Sequence, residues 1–396
     1  MFKDKLEEIF HYFDPVQLKD FEDTSHLNTE ASIGNWLAVN STGQNASSLG
    51  KFEVALVFVN AYSGNYSDKS LLTPHKIREQ FYQLRKPVSN LRVADLGNLK
   101  TGKDIQDALF VLQEVCSVLF HLKVNVLVIG GSQLLTQAGF KAFKEFENNI
   151  NLVNIDSRID LAVSEENIEE GHFLNNIITN EASHVYNIVC LGYQLHFVDQ
   201  KQIKRLNELY FEHMRLGQIK TNFEQVEPLI RDGDLISFDI SAIRMGEAPA
   251  QNNGSPNGFF ADEACRLARY AGISDRVQLF GLYEIDVCYD QNKQTSKLAA
   301  QILWYYLDGY LNRKHDFPQA SLSDCTKYNV QIDEIDFPIV FYKSEKSDRW
   351  WLEVKSVHNQ GEQDNSVVVS CTYEDYQMAC KNDIPDRWWV NFKKLE

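Results

Sequence analysis

The sequence predicts an α/β protein: a three-layer α/β/α sandwich around a mostly parallel sheet, followed by a small C-terminal α+β appendage. Short β-branched runs alternate with helical periodicity from about residue 52 to residue 318. These runs are apolar throughout, which is typical of parallel strands that helices cover on both faces. After residue 318 the alternation stops. We therefore predict three regions, at 1–50, 51–318 and 319–396.

The first region is predicted to be an extension of the main domain. Residues 2–12 fit one amphipathic helix. Residues 40–50 are dominated by Asn, Ser, Thr and Gly, a composition that indicates a loop.

The main region contains a repeating series of strands and helices. Helices are predicted near 74–84 and 104–122, and strands over 54–59, 91–96, 124–131, 151–156, 185–190, 234–239 and 277–284. The strands end in polar residues. Because ligands of open α/β sheets bind at the carboxyl ends of the strands, residues 130–133, 156–160, 239–244 and Glu284 should line one crevice.

The appendage has a different pattern. Residues 337–343 and 348–354 flank a polar turn and predict a β-hairpin, and 367–371 predict a third strand. Thr372 follows, with Asp375 three residues later, which predicts a capped helix.

Two Asp-Arg-Trp-Trp quartets, at 348–351 and 386–389, contain four of the six tryptophans. Packing of the appendage onto the main body is the favoured interpretation. A protein-interaction surface is the alternative, because Trp and Arg are enriched at binding hot spots. Extended geometry would place the two Trp side chains of a quartet on opposite faces.

Composition excludes several classes of function. The formal charge of -16 argues against a nucleic-acid binder, which needs clustered Lys and Arg. The absence of a run of 18 apolar residues argues against membrane insertion, and the charged start predicts a cytoplasmic protein. The seven scattered cysteines form no C-x-x-C pair, so we interpret them as small buried side chains.

Three strand-end segments carry a specific pattern: Gly-Gly-Ser-Gln at 130–133, Asp-Ser-Arg-Ile-Asp at 156–160 and Ser-Phe-Asp-Ile-Ser at 237–241. The sequence resembles the ureohydrolase superfamily of arginase, agmatinase and formimidoylglutamase over about residues 50–315. There the segments are Gly-Gly-Asp-His, Asp-x-His-x-Asp and Ser-Phe-Asp-x-Asp. The resemblance implies an arginase-like sheet, and Asn-Gly-Phe-Phe at 257–260 looks closest to the formimidoylglutamase branch.

In that superfamily two histidines and four aspartates hold a pair of manganese ions and a bridging hydroxide, which attacks a guanidinium or formimino carbon. Matched by position, Gln133 and Arg158 replace the two histidines, and Ser241 replaces the last aspartate. The resemblance therefore gives six vestigial ligand positions: Gln133, Asp156, Arg158, Asp160, Asp239 and Ser241.

Arg158 is the most consequential of these differences. A guanidinium is always protonated and is not a metal ligand, and an amide oxygen replaces an imidazole poorly. We therefore expect no metal cofactor, and we expect the Arg158 guanidinium to lie among the aspartates as their counter-charge. The alternative is one weakly held manganese ion on the three remaining aspartates.

Two further residues are candidates for functional roles. His172 falls near a loop that contacts substrate in members of the superfamily and is a weak candidate for acid/base catalysis; a lone loop histidine is more often a surface residue. Glu284 resembles the glutamate that binds the substrate guanidinium, and a carboxylate binds a guanidino or amidino group without a metal. A buried acid paired with an arginine is the alternative for Glu284.

The leading hypothesis is a pseudoenzyme that acts by binding a protein partner or a small guanidino or amidino ligand. The runner-up is an active hydrolase of linear amidines of the formimidoylglutamase type with a weak or altered metal site. The resemblance implies a homo-oligomer, which the C-terminal appendage would block or replace.

Overall fold

A computed structural model describes residues 2–21, 29–41, 50–62, 68–88, 90–162, 172–318, 324–355 and 366–396. The main sheet has ten strands in these ranges: β1 (Phe13–Asp14), β2 (Ala38–Val39), β3 (Val54–Phe58), β4 (Val93–Leu99), β5 (Asn125–Ile129), β6 (Ile150–Ile155), β7 (Val185–Leu191), β8 (His213–Met214), β9 (Leu235–Asp239) and β10 (Leu279–Tyr283).

The sheet is parallel apart from one edge strand. Its order is β1-β4-β3-β5-β10-β9-β6-β7-β8, with β2 also beside β4. Only β1, which runs antiparallel to β4, departs from the parallel direction among these strands. The seven long strands coincide with the seven predicted ones. Both short strands of the N-terminal region pair with β4, so this region extends one edge of the main sheet.

Helices cover both faces of this sheet. They are α1 (Phe2–Phe10), α2 (Ile33–Trp36), α3 (Thr73–Gln83), α4 (Ile105–His121), α5 (Thr136–Phe143), α6 (Phe173–Asn180), α7 (Gln200–Glu208), α8 (Leu216–Thr221), α9 (Val226–Arg231), α10 (Ala261–Ile273) and α11 (Gln294–Leu311).

Strand β3 shows why three layers form. Its five residues are all buried, and alternate side chains point to opposite faces. Leu56 and Phe58 belong to one apolar cluster, with α3, α10 and α11. Ala55 and Val57 belong to a second cluster, with α1, α4 and α5. The predicted α/β/α sandwich is therefore confirmed.

The C-terminal appendage is a four-stranded antiparallel sheet with two helices. Its elements are β11 (Cys325–Val330), β12 (Ile339–Ser344), β13 (Trp350–Lys355), β14 (Ser366–Cys371), α12 (Tyr373–Ala379) and α13 (Asp386–Leu395). The predicted hairpin is β12–β13, and Thr372 caps α12 together with Asp375 as predicted. The second quartet was expected to be extended, which is wrong, because it forms the first turn of α13.

Three of the four tryptophans in the quartets are buried. Trp350, Trp351 and Trp388 are 8%, 1% and 2% exposed, whereas Trp389 is 46% exposed. Trp350 packs within the appendage, and Trp351 lies on the opposite face of β13. The geometry favours the packing interpretation for all but Trp389.

The appendage docks on the main domain through polar contacts. Arg231, at the end of α9, lies 4.5 Å above the Trp351 ring and donates from Nη2 to the Trp350 carbonyl at 3.2 Å. The neighbouring Asp232 accepts from Ser370 N at 2.9 Å and pairs with Arg387 at 2.8 Å. The two quartets therefore contribute directly to this junction.

Within the described ranges, no helix is both long enough and apolar enough to cross a bilayer.

Candidate functional site

Four neighbouring strands bring most of the matched ligand positions together. Strands β5, β10, β9 and β6 are adjacent and parallel, so their carboxyl ends meet at one edge. Asp239 ends β9, and Gln133, Glu284 and Asp156 follow the other three strands. The predicted crevice therefore forms at the predicted edge, on the residues that the strand ends supply.

Two glycines allow the chain to turn sharply after β5. Gly130 and Gly131 have φ of 85° and 73°, a backbone region that residues with a Cβ rarely adopt. A Cβ at Gly130 would also lie 2.6 Å from the Val59 carbonyl oxygen. The turn ends at Ser132, whose hydroxyl accepts from Leu134 N and starts a short 3-10 turn. This turn points the Gln133 side chain into the crevice.

The Gln133 amide faces two carboxyl groups, those of Asp156 and Asp160. With its nitrogen facing them, it donates to Asp160 Oδ2 at 3.0 Å and to Asp156 Oδ2 at 3.3 Å. The opposite orientation would bring its oxygen against two acceptors, so this one is favoured. The amide oxygen then accepts from Ser237 Oγ at 3.1 Å and lies 2.7 Å from Asn154 Oδ1. The Asn154 amide must therefore also be turned, so that its nitrogen, which otherwise has no partner among the described residues, donates to Gln133. Gln133 is only 4% exposed, so these hydrogen bonds to the carboxyl groups lie inside the crevice.

Ser241 adds hydroxyl and backbone donors to the same cluster. Its hydroxyl donates to Asp156 Oδ1 at 3.3 Å and lies 3.1 Å from the Ser157 hydroxyl. Its backbone N–H donates to Asp239 Oδ1 at 2.6 Å. Ser241 therefore donates hydrogen bonds to two aspartates. An aspartate at this position, as in the family pattern, would instead add another negative charge to the cluster.

The three aspartates have raised pKa values. Burial raises the pKa of Asp156 to about 6, against hydrogen bonds from Arg158 N and Ser241. Burial, followed by the charges of Asp156, Asp239 and Glu284, holds the pKa of Asp160 well above its usual value. Burial and the charges of Asp156 and Glu284 do the same for the pKa of Asp239. The cluster therefore favours protonated carboxyls or a bound cation.

The Arg158 guanidinium makes no direct contact with the aspartates in the described part of the chain, and its charge is the smallest of the influences given for the pKa of Asp156, which it lowers. The expectation that its guanidinium lies among the aspartates is wrong: the side chain is exposed, and its guanidinium stacks 4.5 Å above the Phe197 ring. The backbone N–H of Arg158 does contact the aspartate cluster, because it donates to Asp156 Oδ1 at 2.9 Å. The reason is that Phe197 offers a stacking surface outside the crevice, whereas the Gln133 amide already donates to the carboxylates.

Glu284 is held at the wall of the crevice. Its φ of 62° turns the chain back after β10, and its Oε1 accepts from Gln133 N at 2.7 Å and Ser132 Oγ at 3.0 Å. The carboxylate thus caps the turn after β5. Its predicted contact with a guanidino ligand stays a prediction.

His172 lies directly before α6. The Leu174 N–H of this helix donates to the Asp160 carbonyl at 3.2 Å, so the first turn of α6 adjoins the crevice. The catalytic role suggested for His172 stays a prediction.

The donor set fits a pair of manganese ions poorly. No group of three or more His, Cys, Asp or Glu side chains is arranged to hold a metal ion within the parts of the chain that the structure describes. The positions of the two family histidines hold an amide, which is bonded to the carboxylates, and a guanidinium that stacks outside. Manganese favours carboxylate, carbonyl and water oxygens, and imidazole is the usual nitrogen donor for transition ions.

Sequence reasoning missed the polar groups beneath Gln133. Asn154 in β6 and Ser237 in β9 are fully buried, and the Ser237 hydroxyl lies 2.7 Å from that of Thr136. Polar side chains inside otherwise apolar buried strands were a usable signal, because such groups need partners. These buried polar groups, Asn154, Ser237 and Thr136, lie beneath Gln133 and extend the site toward the interior of the domain.

The sequence profile of the arginase family matches residues 53–308. The chain belongs to the arginase family. Its relatives include a formimidoylglutamase of Staphylococcus haemolyticus, 22% identical over 242 residues, which are 59% of this chain and 78% of that protein. A formimidoylglutamase of Vibrio parahaemolyticus is also 22% identical, over 59% of this chain and 77% of its own length.

Solved structures show the same fold for this arginase-family chain. Formimidoylglutamase of Bacillus subtilis has a TM-score of 0.58 at 17% identity, covering 67% of this chain and 89% of that one. Trypanosoma cruzi formiminoglutamase with manganese has a TM-score of 0.59 at 15% identity, covering 76% of this chain and 100% of that one. Proclavaminate amidino hydrolase of Streptomyces clavuligerus has a TM-score of 0.57 at 20% identity, covering 66% and 92%.

Proposed function

We propose that this arginase-family chain is a pseudoenzyme: it keeps the ureohydrolase fold, lacks amidinohydrolase activity, and acts by binding a protein or a small ligand. The observation that carries the proposal is the Gln133 amide, which donates to both Asp156 and Asp160. It gives a neutral hydrogen-bond donor to the two carboxylates that a shared cation would need as ligands. The expected cytoplasmic location and homo-oligomer belong to the same proposal.

The chemical reason concerns the nucleophile. Metal-assisted hydrolysis needs a bound water whose pKa is lowered by the ions. Here Gln133 offers the carboxylates a neutral donor, and Ser241 supplies a hydroxyl in place of a carboxylate ligand. Neither group activates water, because neither an amide nor a serine hydroxyl is a base near neutral pH.

An active hydrolase is the second candidate. Its support is the cluster of Asp156, Asp160 and Asp239, whose pKa values are raised. A bound cation would stabilise the ionised forms of these carboxyl groups. Relatives and structural neighbours named formimidoylglutamase point to linear amidines as its substrates. In this candidate, displacement of the Gln133 amide would have to accompany binding of a single ion.

Metal content and turnover distinguish the two. The purified protein, incubated with excess manganese and desalted, should retain far less than two ions per chain and should not hydrolyse formimidoylglutamate, arginine or agmatine. Two retained ions, or hydrolysis that depends on manganese, would refute the pseudoenzyme proposal. A triple variant, Gln133→His, Arg158→His and Ser241→Asp, is the matched control, since it restores the donor types of the family and should raise metal retention.

Small-ligand binding is tested at Glu284. We expect arginine or agmatine to bind to the crevice by calorimetry if the carboxylate cluster and Glu284 accept a guanidinium. Glu284→Gln should weaken that binding at least tenfold. Equal binding to wild type and variant would assign the affinity to another place on the chain.

The protein-binding alternative concerns Trp389. It is the tryptophan of the two quartets that remains about half exposed, and it stacks with Phe392 at 6.0 Å between ring centroids. Trp389→Ala should remove a partner from native pull-downs if this face is used. The exposed Tyr373 is the control, because it lies on α12 of the same appendage; Tyr373→Ala should retain the partner.

A further inference from the structure

A cavity of about 560 Å³ lies at the amino ends of the central strands. Asn125, the first residue of β5, lines it, and so do Asp234 and Gln278, which directly precede β9 and β10. Most of the remaining wall comes from the carboxyl ends of α4, α5 and α11 and from the residues that follow these helices. The cavity is therefore at the opposite edge of the sheet from the carboxylate crevice, and its volume suits a small molecule.

Aromatic rings form the apolar part of this wall. The rings that line the cavity are those of Phe120, Phe143, Phe146, Tyr310 and Phe317. The Phe120 ring packs edge-on against that of Phe143, with 5.3 Å between centroids, and lies 6.2 Å from the Phe146 ring. Phe120 and Phe143 are buried, whereas Phe146 is 42% exposed. Phe146 therefore offers accessible apolar surface to the cavity, which the ring of a ligand would remove from water.

Two cations on the wall, Lys123 and Arg313, have no carboxylate partner in the part of the chain that the structure describes. Lys123 is exposed, and its backbone N–H donates to the Phe120 carbonyl at 2.9 Å, which places it beside the aromatic rings. Arg313 stacks 4.1 Å above the Tyr310 ring and donates to two backbone carbonyls, each at 2.9 Å. Because the Lys123 side chain is exposed and flexible, its ammonium group is accessible to a ligand.

The two acids on the same wall already have partners. Asp234 pairs with Arg276 at 3.0 Å and accepts from a backbone N–H at 2.8 Å. Glu147 Oε1 accepts from the backbone N–H groups of the next two residues, at 2.9 Å and 3.2 Å. The cations without a carboxylate partner therefore favour an anionic ligand. Since the Glu147 carboxylate would repel a ligand of high negative charge, a single negative charge suits the wall best.

We propose that this cavity binds a small aromatic monocarboxylate, whose ring packs against Phe146 and whose carboxylate pairs with the Lys123 ammonium group. Both residues adjoin Phe120, so a ligand of one ring and a short acid side chain spans them. Arg313 adds a second positive charge to the same wall. This binding is separate from that proposed at Glu284, because the ligand carries no guanidinium or amidinium group for that carboxylate to bind.

The test uses the full chain and the sodium salts of benzoate, phenylacetate and 3-phenylpropanoate, each titrated to about 10 mM so that millimolar affinities register. At least one should bind in a ligand-observed NMR titration. Its primary amide, which lacks the charge, and its cyclohexyl analogue, which lacks the aromatic ring, should each bind at least about threefold more weakly. Failure of all three salts to bind, or an analogue that binds as tightly as the parent acid, would overturn the proposal.

Two pairs of variants locate the site. Lys123→Gln and Phe146→Ala, both changes of exposed side chains, should each weaken binding at least about threefold, since each removes one proposed contact. Lys103→Gln and Phe110→Ala are the matched controls, because these residues are also exposed but do not line the cavity, and they should leave the affinity unchanged. Agmatine, a guanidinium without a carboxylate, should not displace the bound acid. Wild-type affinity in Lys123→Gln or Phe146→Ala, or displacement by agmatine, would place the ligand elsewhere and refute the proposal.

Discussion

Replacing Asp232 should loosen the junction between the main domain and the appendage. Its carboxylate accepts from Ser370 N at 2.9 Å and Ser370 Oγ at 2.5 Å, and it pairs with Arg387 Nη2 at 2.8 Å. The two charged side chains are only 10% and 13% exposed. Burial opposes the charge on Arg387, but Glu212 and Asp232 outweigh it and raise its pKa.

The magnitude follows from what remains after the change. Removing one partner of a buried pair costs about 3–5 kcal/mol, because the other charge is left uncompensated. Arg387 would keep Glu212 at 3.0 Å. We therefore expect Asp232→Ala to lower the free energy of unfolding by about 3 kcal/mol, at the lower end of that range.

Urea unfolding followed by tryptophan fluorescence is the measurement, because four of the six tryptophans lie in the appendage. Asp383→Ala, an exposed position of the appendage, is the control and should change stability by less than about 0.5 kcal/mol. A double-mutant cycle with Arg387→Ala should give a coupling energy of about 1 kcal/mol or more. The account of the junction is refuted if Asp232→Ala matches the control or the coupling is zero.

Four further outcomes follow. Gln133→Ala should lower the melting temperature, at a cost of about 1–3 kcal/mol, because buried carboxyls lose their shared donor; a thermal melt that matches wild type would contradict this. Arg158→Ala should lower the free energy of unfolding by no more than about 1 kcal/mol, since an exposed cation–π contact is lost. Urea titration measures this change, and a larger loss would indicate that the Arg158 guanidinium contacts the aspartates of the crevice. Lys394 has a pKa of about 8 in the folded chain, below the value of 10.5 that is usual for lysine. Between these two pH values the unfolded chain therefore binds more protons than the folded chain. Stability relative to Lys394→Met should therefore rise with pH from about 8 to about 10.5, and a flat difference would contradict that environment. Deletion of 319–396 should give an insoluble protein, because Arg231 loses its appendage partners, and a soluble folded product on size-exclusion chromatography would show that the junction is dispensable.

The long strands were predictable because each is a continuous apolar run, as in β3 and β5, and burial on both faces requires that composition. Strand β11 was missed because its Cys-Thr-Lys-Tyr-Asn-Val sequence is half exposed at a sheet edge and carries little pattern. Strands β1, β2 and β8 have two residues each, too few for any periodicity. Helix α13 contains Trp-Trp-Val, whose β propensity was overridden by packing of Trp388 and Asn391.

The crevice was predictable in position but not in detail. The order of the strands and their polar ends fix which residues share the edge, so Asp156, Asp239 and Glu284 were placed together correctly. The direction of the Arg158 side chain depends on Phe197, nearly forty residues later, and no local pattern records such a contact. Sequence reasoning placed a charge where the chain uses the uncharged Gln133 amide.

That amide also changes what the crevice depends on. An ion held by mass action stabilises a protein only while its free concentration exceeds the dissociation constant. The Gln133 side chain is covalently part of the chain, and its donor lies 3.0 Å from Asp160 Oδ2. If the chain binds no metal, as we propose, the geometry of this part of the crevice does not depend on chelators or on the supply of manganese. The protein would then keep the same binding surface in a metal-starved cell as in a replete one.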